Sequence, residues 1–116
     1  MRGKLSDKQR LEHISDAIEE IEAFTGNISA EAYSQNRMMQ LACVKCLEII
    51  GEAAGHISDE TKTEYHAIEW QKIKAFRNFA VHEYFNVSSQ LVWKIIENDL
   101  SALKAAIQEI LNNFEE

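Results

Sequence analysis

The residues of this sequence best suited to chemistry lie in one segment, Arg77 to Tyr84, which reads RNFAVHEY. The imidazole of His82 can take or give a proton near neutral pH, and the guanidinium of Arg77 stays charged and can hold two phosphate oxygens at once. Asn78 could orient a phosphate or the imidazole, and Tyr84 offers a phenol that could donate a hydrogen bond or accept a modification. These residue types suit phosphodiester cleavage without a metal ion.

The spacing within this segment restricts how its residues can cooperate. On an ideal helix Arg77 and Tyr84 differ by about 20° around the axis, whereas Arg77 and His82 differ by about 140°. Either the helix unwinds near His82, or a second copy of the segment supplies the missing partner across a two-fold axis. An ordinary salt-bridged arginine and a structural histidine are the alternative to catalysis, and spacing alone does not decide between them.

The first helical pattern runs from about Lys8 to Phe24 and predicts one amphipathic helix. Ser6 and Gln9 have the spacing of a capping box at its start, and residues 25–27, Thr-Gly-Asn, form a stop signal. Its predicted core stripe has spacings of three and four residues and consists of Leu11, Ile14, Ile18 and Ile21.

A longer second helix is predicted from about Ala30 to Ala54, with Ser29 as its cap and its end near Gly55. Its apolar face is wide enough to pack on more than one side. That face carries Tyr33, Met38, Leu41, Val44, Leu47, Ile49 and Ile50. Cys43 and Cys46 lie in the same apolar run, without a second cysteine pair or matching histidines, so we expect two buried thiols rather than a zinc site.

The rest of the chain predicts two more long helices and one short element. Residues 58–66 are polar with Ser58 as a cap candidate, which indicates a short helix or turn that connects the neighbouring helices and is not a core element. A third long helix begins near Ile68 or Trp70 and leads into RNFAVHEY, and after a turn at residues 86–88 the last helix runs from about Ser89 to Asn113. We therefore predict an all-α fold: one domain, residues 1–116, built as an antiparallel up-and-down four-helix bundle with a short extra helix or turn.

The net charge of −7, from 12 basic and 19 acidic residues, argues against a surface that binds nucleic acid non-specifically. Chemistry on RNA would need a local basic pocket, to which Lys72 or Lys74 could contribute beside Arg77. The start of the chain lacks the apolar stretch of a signal peptide, and no run is long enough to span a bilayer. These features predict a cytoplasmic protein with no membrane partner.

The arrangement Arg77, four residues, His82, one residue, Tyr84 resembles the R-x4-H-x-Y signature of HepT-like toxins in the HEPN superfamily. The flanks resemble that family too, in the same order and with similar spacing. They are Gly51-Glu52-Ala53 in the second helix, Trp70 before the arginine, Asn78 directly after it, and Val92-Trp93 in the last helix. The resemblance covers the chain from the first helix to about Asn113.

The resemblance implies a four-helix bundle that forms a homodimer, in which two R-x4-H motifs meet at a cleft. It further implies a metal-independent endoribonuclease toxin without a cofactor, acting on RNA with Arg77 and His82 as catalytic residues and Asn78 in support. Its partner would be an MntA-like minimal nucleotidyltransferase antitoxin that transfers AMP to Tyr84.

Two further expectations belong with this prediction. Glu52 could support the imidazole or the guanidinium as a neighbouring carboxylate, and Gly51 would permit a close approach of two helices. The alternative function is a non-catalytic helical dimer that binds a nucleotide or a nucleotidyltransferase and regulates it.

Overall fold

The computed structural model describes the backbone of residues 2–82 and 89–114 and the side chains of residues 7–77 and 90–114. Over this part of the chain the structure is all-α, without a strand, which confirms the predicted fold class. Its helices are α1 (Arg2–Thr25), α2 (Ala30–Ser34), α3 (Arg37–Gly55), α4 (Asp59–Glu64), α5 (Trp70–His82), α6 (Ser89–Asn98) and α7 (Leu100–Phe114).

Helix α1 confirms the predicted apolar stripe, whose four residues are fully buried. The predicted capping box at Ser6 is wrong, because α1 begins at Arg2 and residue 6 lies inside the helix, whereas a cap needs extended backbone. The predicted stop is confirmed, since α1 ends at Thr25, whose hydroxyl donates to the Ile21 carbonyl at 2.7 Å.

The predicted second helix is interrupted and forms two helices, α2 and α3. Ser29 caps α2 as expected, because its hydroxyl accepts a hydrogen bond from the Ala32 amide at 3.1 Å. The break follows from Asn36, whose side chain accepts from the Met39 amide at 3.0 Å and starts a new helix. Met38, predicted to be part of the core, is 81% exposed as a result, and Leu41 and Ile49 are also exposed.

The predicted last helix is interrupted at one residue, Asp99, between α6 and α7. The Asp99 amide donates to the Ile95 carbonyl at 2.9 Å, and the Leu103 amide donates to the Asp99 carbonyl at 3.1 Å. Helical hydrogen bonds therefore flank the interruption on both sides. The turn predicted at residues 86–88 lies outside the described residues.

Helix α4 does more than connect its neighbours, which corrects the expectation for this segment. Ser58 caps it as predicted, but Asp7 of α1 also reaches its N-terminus. The Asp7 carboxylate accepts hydrogen bonds from the Ser58 amide at 2.9 Å, the Ser58 hydroxyl at 2.6 Å and the Thr61 hydroxyl at 2.5 Å. A buried carboxylate at a helix N-terminus, with three donors, fixes α4 to α1.

Helix α3 is the centre of the bundle and packs against both α1 and α5, while α1 also contacts α7. Cys43 and Cys46 are buried on α3 and form no disulfide, and burial raises the pKa of each thiol to about 11. Both therefore remain protonated at neutral pH, as expected of core residues. Trp70 is buried in the core, and Trp93 packs against Tyr33 with ring centroids 5.1 Å apart.

Within the described residues, no helix is both long and apolar enough to cross a membrane.

Candidate functional site

Arg77 lies where α5 passes closest to α3, and Gly51 permits that approach. A Cβ atom at position 51 would lie 2.8 Å from the Arg77 Cβ and 3.0 Å from its Cα, closer than side chains can come to a neighbouring backbone. The expected close approach at Gly51 is therefore confirmed. It sets the start of the Arg77 side chain directly against α3.

The neighbouring residue on α3, Glu52, holds the guanidinium of Arg77. Its Oε2 lies 2.5 Å from the Arg77 Nε, and its Oε1 lies 3.3 Å from the Nε2 of His56, the residue that directly follows α3. Both side chains of the Arg77–Glu52 pair are about half exposed, at 49% and 51%. An ion pair this exposed contributes no more than about 1 kcal/mol to stability, so its main physical effect is to orient the guanidinium.

Two clefts lie beside this ion pair and share it. The first has a volume of about 330 Å³ and is lined by residues that include Gly51, Glu52, His56, Lys74 and Arg77. The second has a volume of about 390 Å³ and is lined by Arg10, His13, Lys45, Glu48, Ile49, Glu52, Ala53 and Arg77. The Arg77–Glu52 pair therefore lies between two open depressions, one towards the end of α3 and one between α1 and α3.

Of the two lysines that the sequence suggested beside Arg77, only Lys74 lines a cleft with it. Lys74 lines the first cleft with Arg77, and its aliphatic stem packs over Gly55, with Cε 3.7 Å from where a Cβ at Gly55 would lie. Lys72 lines neither of these clefts. Its Nζ lies 3.7 Å from Oδ1 of Asp99, at the junction of α6 and α7.

The orientation of Arg77 determines what the site can do. Glu52 lies at the Nε edge of the guanidinium, and the Arg77 side chain is about half exposed. A guanidinium carries five N–H donors in a planar fork, so a half-exposed arginine next to one carboxylate still has donors for an anion in either cleft. The arrangement can therefore bind a phosphate next to a carboxylate that stops the arginine from turning away.

The structure brings together two of the predicted site residues, Arg77 and Glu52. Asn78 and His82 lie in α5, which is helical through His82, and their side chains lie outside the described part of the chain. Tyr84 lies outside the described residues altogether. The helix therefore does not unwind before His82, and positions 77 and 82 are about 140° apart around the axis of one helix.

Sequence reasoning missed the contributions of Arg10, His13, Lys45 and His56 to the surroundings of Arg77. His13 and His56 are both exposed, and each lines one of the clefts beside Arg77. The four-residue spacing of Glu52 and His56 was a usable signal, because it places the two side chains on one helical face. Arg10 and Lys45 gave no such signal, since they belong to different helices.

Comparison with known proteins identifies the family of this chain. The family model described as ribonuclease HepT-like matches residues 14–110. A protein of Thermococcus cleftensis named "Probable ribonuclease HepT" is 36% identical over 107 residues, which cover 92% of this chain and 97% of the relative.

Two further relatives carry the term RNase in their names. One, from Methanocaldococcus jannaschii, is 32% identical over 84% of this chain and 86% of its own length. The other, from Caldanaerobacter subterraneus, is 32% identical over 87% of this chain and 90% of its own length. No solved structure matches the chain. With matches that span nearly its whole length, the chain belongs to the HepT-like family and is a ribonuclease.

Proposed function

We propose that this ribonuclease is the toxin of a toxin–antitoxin pair and that it cleaves RNA internally, without a metal ion, as a homodimer. In the proposed reaction the ribose 2′-oxygen attacks the adjacent phosphorus and the bond from phosphorus to the 5′-oxygen breaks. His82 acts as general acid or base, so it removes the proton of the 2′-hydroxyl or supplies one to the leaving 5′-oxygen. Arg77 stabilises the negative charge that develops on the phosphate oxygens.

The observation that carries this proposal is the Arg77–Glu52 ion pair at the junction of two open clefts. Glu52 holds the guanidinium by its Nε edge, which is the role proposed for this carboxylate. A preoriented arginine needs no reorganisation when charge develops on a bound phosphate, which is where an enzyme gains most from electrostatics.

The geometry of α5 supports a composite site formed by two chains. Because α5 is unbroken between Arg77 and His82, the two positions diverge by about 140° on one helix. A two-fold axis close to α5 would bring Arg77 of one copy towards His82 of the other. Asn78, next to Arg77 in the sequence, would orient the phosphate or the imidazole in the same cleft.

Tyr84 is the proposed control point. An MntA-like nucleotidyltransferase antitoxin would join the Tyr84 oxygen to the α-phosphorus of ATP, with pyrophosphate leaving. The motif order of Arg77, His82 and Tyr84, together with membership of the HepT-like family, supports this assignment. An added AMP would place a phosphate and a nucleotide next to the catalytic residues and so compete with RNA.

The nuclease proposal is tested with purified, unmodified protein and total RNA in EDTA. We expect internal cleavage by the wild type and its loss in Arg77→Ala and in His82→Ala. Arg37→Ala, which removes an exposed arginine at the start of α3, is the matched control and should cleave like the wild type. Intact RNA with the wild type, or equal cleavage by wild type and His82→Ala, would contradict the proposal.

The control by AMP is tested by coexpression with a minimal nucleotidyltransferase encoded beside this protein, followed by intact-mass measurement. We expect a mass increase of one AMP group on the wild type and none on Tyr84→Phe. A stable complex without an adduct and without nuclease activity would instead favour the non-catalytic regulatory dimer.

A further inference from the structure

We infer that the second cleft, between α1 and α3, binds the phosphate backbone of single-stranded RNA on one side of the scissile phosphate. The inference rests on the proposed cleavage at Arg77 and adds two substrate-binding residues, Arg10 and Lys45. The cleft begins at Arg77 and extends between the two helices, so a strand that is cleaved at Arg77 can continue into it.

The charge of this cleft differs from that of the whole chain. Three of its lining residues are Arg or Lys, one each from α1, α3 and α5, and two are Glu. The whole chain has 12 basic and 19 acidic residues, a net charge of −7. Cations from three separate helices thus converge in one depression of an acidic protein, which is the local basic pocket that an acidic ribonuclease requires.

The ion pairs in the cleft are weak enough to be replaced by phosphate. Lys45 Nζ lies 3.3 Å from Oε1 of Glu48 on the exposed side of α3. Such a surface pair is worth about 1 kcal/mol or less, so exchanging the carboxylate for a phosphate costs little. Arg10 is half-buried and has no carboxylate partner among the described side chains, so its charge is available without any exchange.

The shape of the cleft favours a strand over an isolated ion. Its volume of about 390 Å³ exceeds the needs of one phosphate, and Ile49 offers an exposed apolar side chain at its edge. A ribose or a base can rest on that side chain while the phosphates contact the cations on either side. The cations of this cleft come from three helices, and its apolar lining is limited to Ile49 and Ala53, which suits a single strand better than double-stranded RNA or a protein partner.

The test measures binding of a 2′-O-methyl RNA oligonucleotide, which lacks the attacking hydroxyl, by fluorescence anisotropy at several salt concentrations. We expect Arg10→Gln and Lys45→Gln each to weaken binding about fivefold and to lower the slope of log K against log salt by about 0.7. The matched controls are Arg37→Gln and Lys94→Gln, which remove exposed cations outside the cleft. Circular dichroism of every variant establishes that each is folded.

A second readout separates this inference from the proposed cleavage. With a cleavable oligonucleotide, Arg10→Gln and Lys45→Gln should raise KM and leave kcat nearly unchanged, because neither residue contacts the reacting atoms.

If the wild type cleaves RNA but both variants bind and cleave as the controls do, the inference fails and the nuclease proposal stands. If the wild type binds RNA through Arg10 and Lys45 but His82→Ala cleaves equally well, the nuclease proposal fails alone. Equal competition by free AMP and by the oligonucleotide would overturn the backbone assignment in favour of a nucleotide site.

Discussion

Asp7 and Glu52 each join two helices of this protein, and they do so in opposite environments. Asp7, 1% exposed, links α1 to α4 through three hydrogen bonds from Ser58 and Thr61. Glu52, 51% exposed, joins α3 to α5 through the Arg77 guanidinium. A buried and fully satisfied carboxylate contributes to stability, whereas an exposed one leaves its partner accessible. The comparison predicts that Asp7 matters for folding and Glu52 for function.

The largest effect on stability is expected from Asp7→Ala. The change leaves the buried Thr61 hydroxyl without its acceptor and removes an anion from the N-terminus of α4, at a cost of roughly 3 kcal/mol in unfolding free energy. Urea denaturation measures it, with Asp16→Ala, an exposed carboxylate on the same helix, as control. A loss no larger than that of the control would mean that the Asp7 network does not stabilise the fold.

The second effect is expected from Gly51→Ala, which adds a methyl group where α3 and α5 approach each other. The added methyl group would meet the Arg77 Cβ at 2.8 Å, so α5 must move away at a cost of about 2 kcal/mol, and RNA cleavage should fall at least about tenfold. Gly55→Ala is the matched control, because its new Cβ would meet Lys74 only at 3.7 Å. Its stability should rise by up to about 1 kcal/mol, as expected for alanine in a helix. Equal stability changes in the two variants would refute the close approach of α3 and α5 at Gly51.

The smallest effect on stability, and a clear effect on activity, is expected from Glu52→Gln. Loss of a half-exposed ion pair should change the unfolding free energy by less than about 1 kcal/mol. The kcat for RNA cleavage should nevertheless fall roughly tenfold, because the guanidinium loses the charge that orients it. Glu97→Gln, an exposed carboxylate on α6, is the control. The comparison with Asp7 breaks down if Glu52→Gln destabilises the protein as strongly as Asp7→Ala, or if it cleaves RNA at the wild-type rate.

The same comparison shows what could be predicted from the sequence. The stripe of α1 followed from its periodicity, since burying one apolar face of a helix needs only local spacing. Asn36 and Asp99 were missed as helix breaks because the apolar pattern continues through both positions. Asp7 was missed because the donors that satisfy it, at residues 58 and 61, come from a distant part of the chain.

The same distinction applies to the site: residues that belong to a motif could be predicted, and residues that only packing brings together could not. Arg77 and Glu52 were identified from a motif and its flanks, and the structure places them in contact. Arg10 and Lys45 could not be identified, because their convergence depends on how α1, α3 and α5 pack rather than on any spacing within one helix. The depression beside Arg77 is therefore a tertiary feature that only the packed bundle reveals.

Whether the active site is composite is tested by measuring RNA cleavage in mixtures of two variants expected to be inactive, Arg77→Ala and His82→Ala, after subunit exchange. In a composite site each mixed dimer retains one intact pair, with Arg77 from one copy and His82 from the other. We expect RNA cleavage, absent from either variant alone, to return when the two are mixed. Mixed dimers that form, as shown by native mass spectrometry, but remain inactive would contradict it.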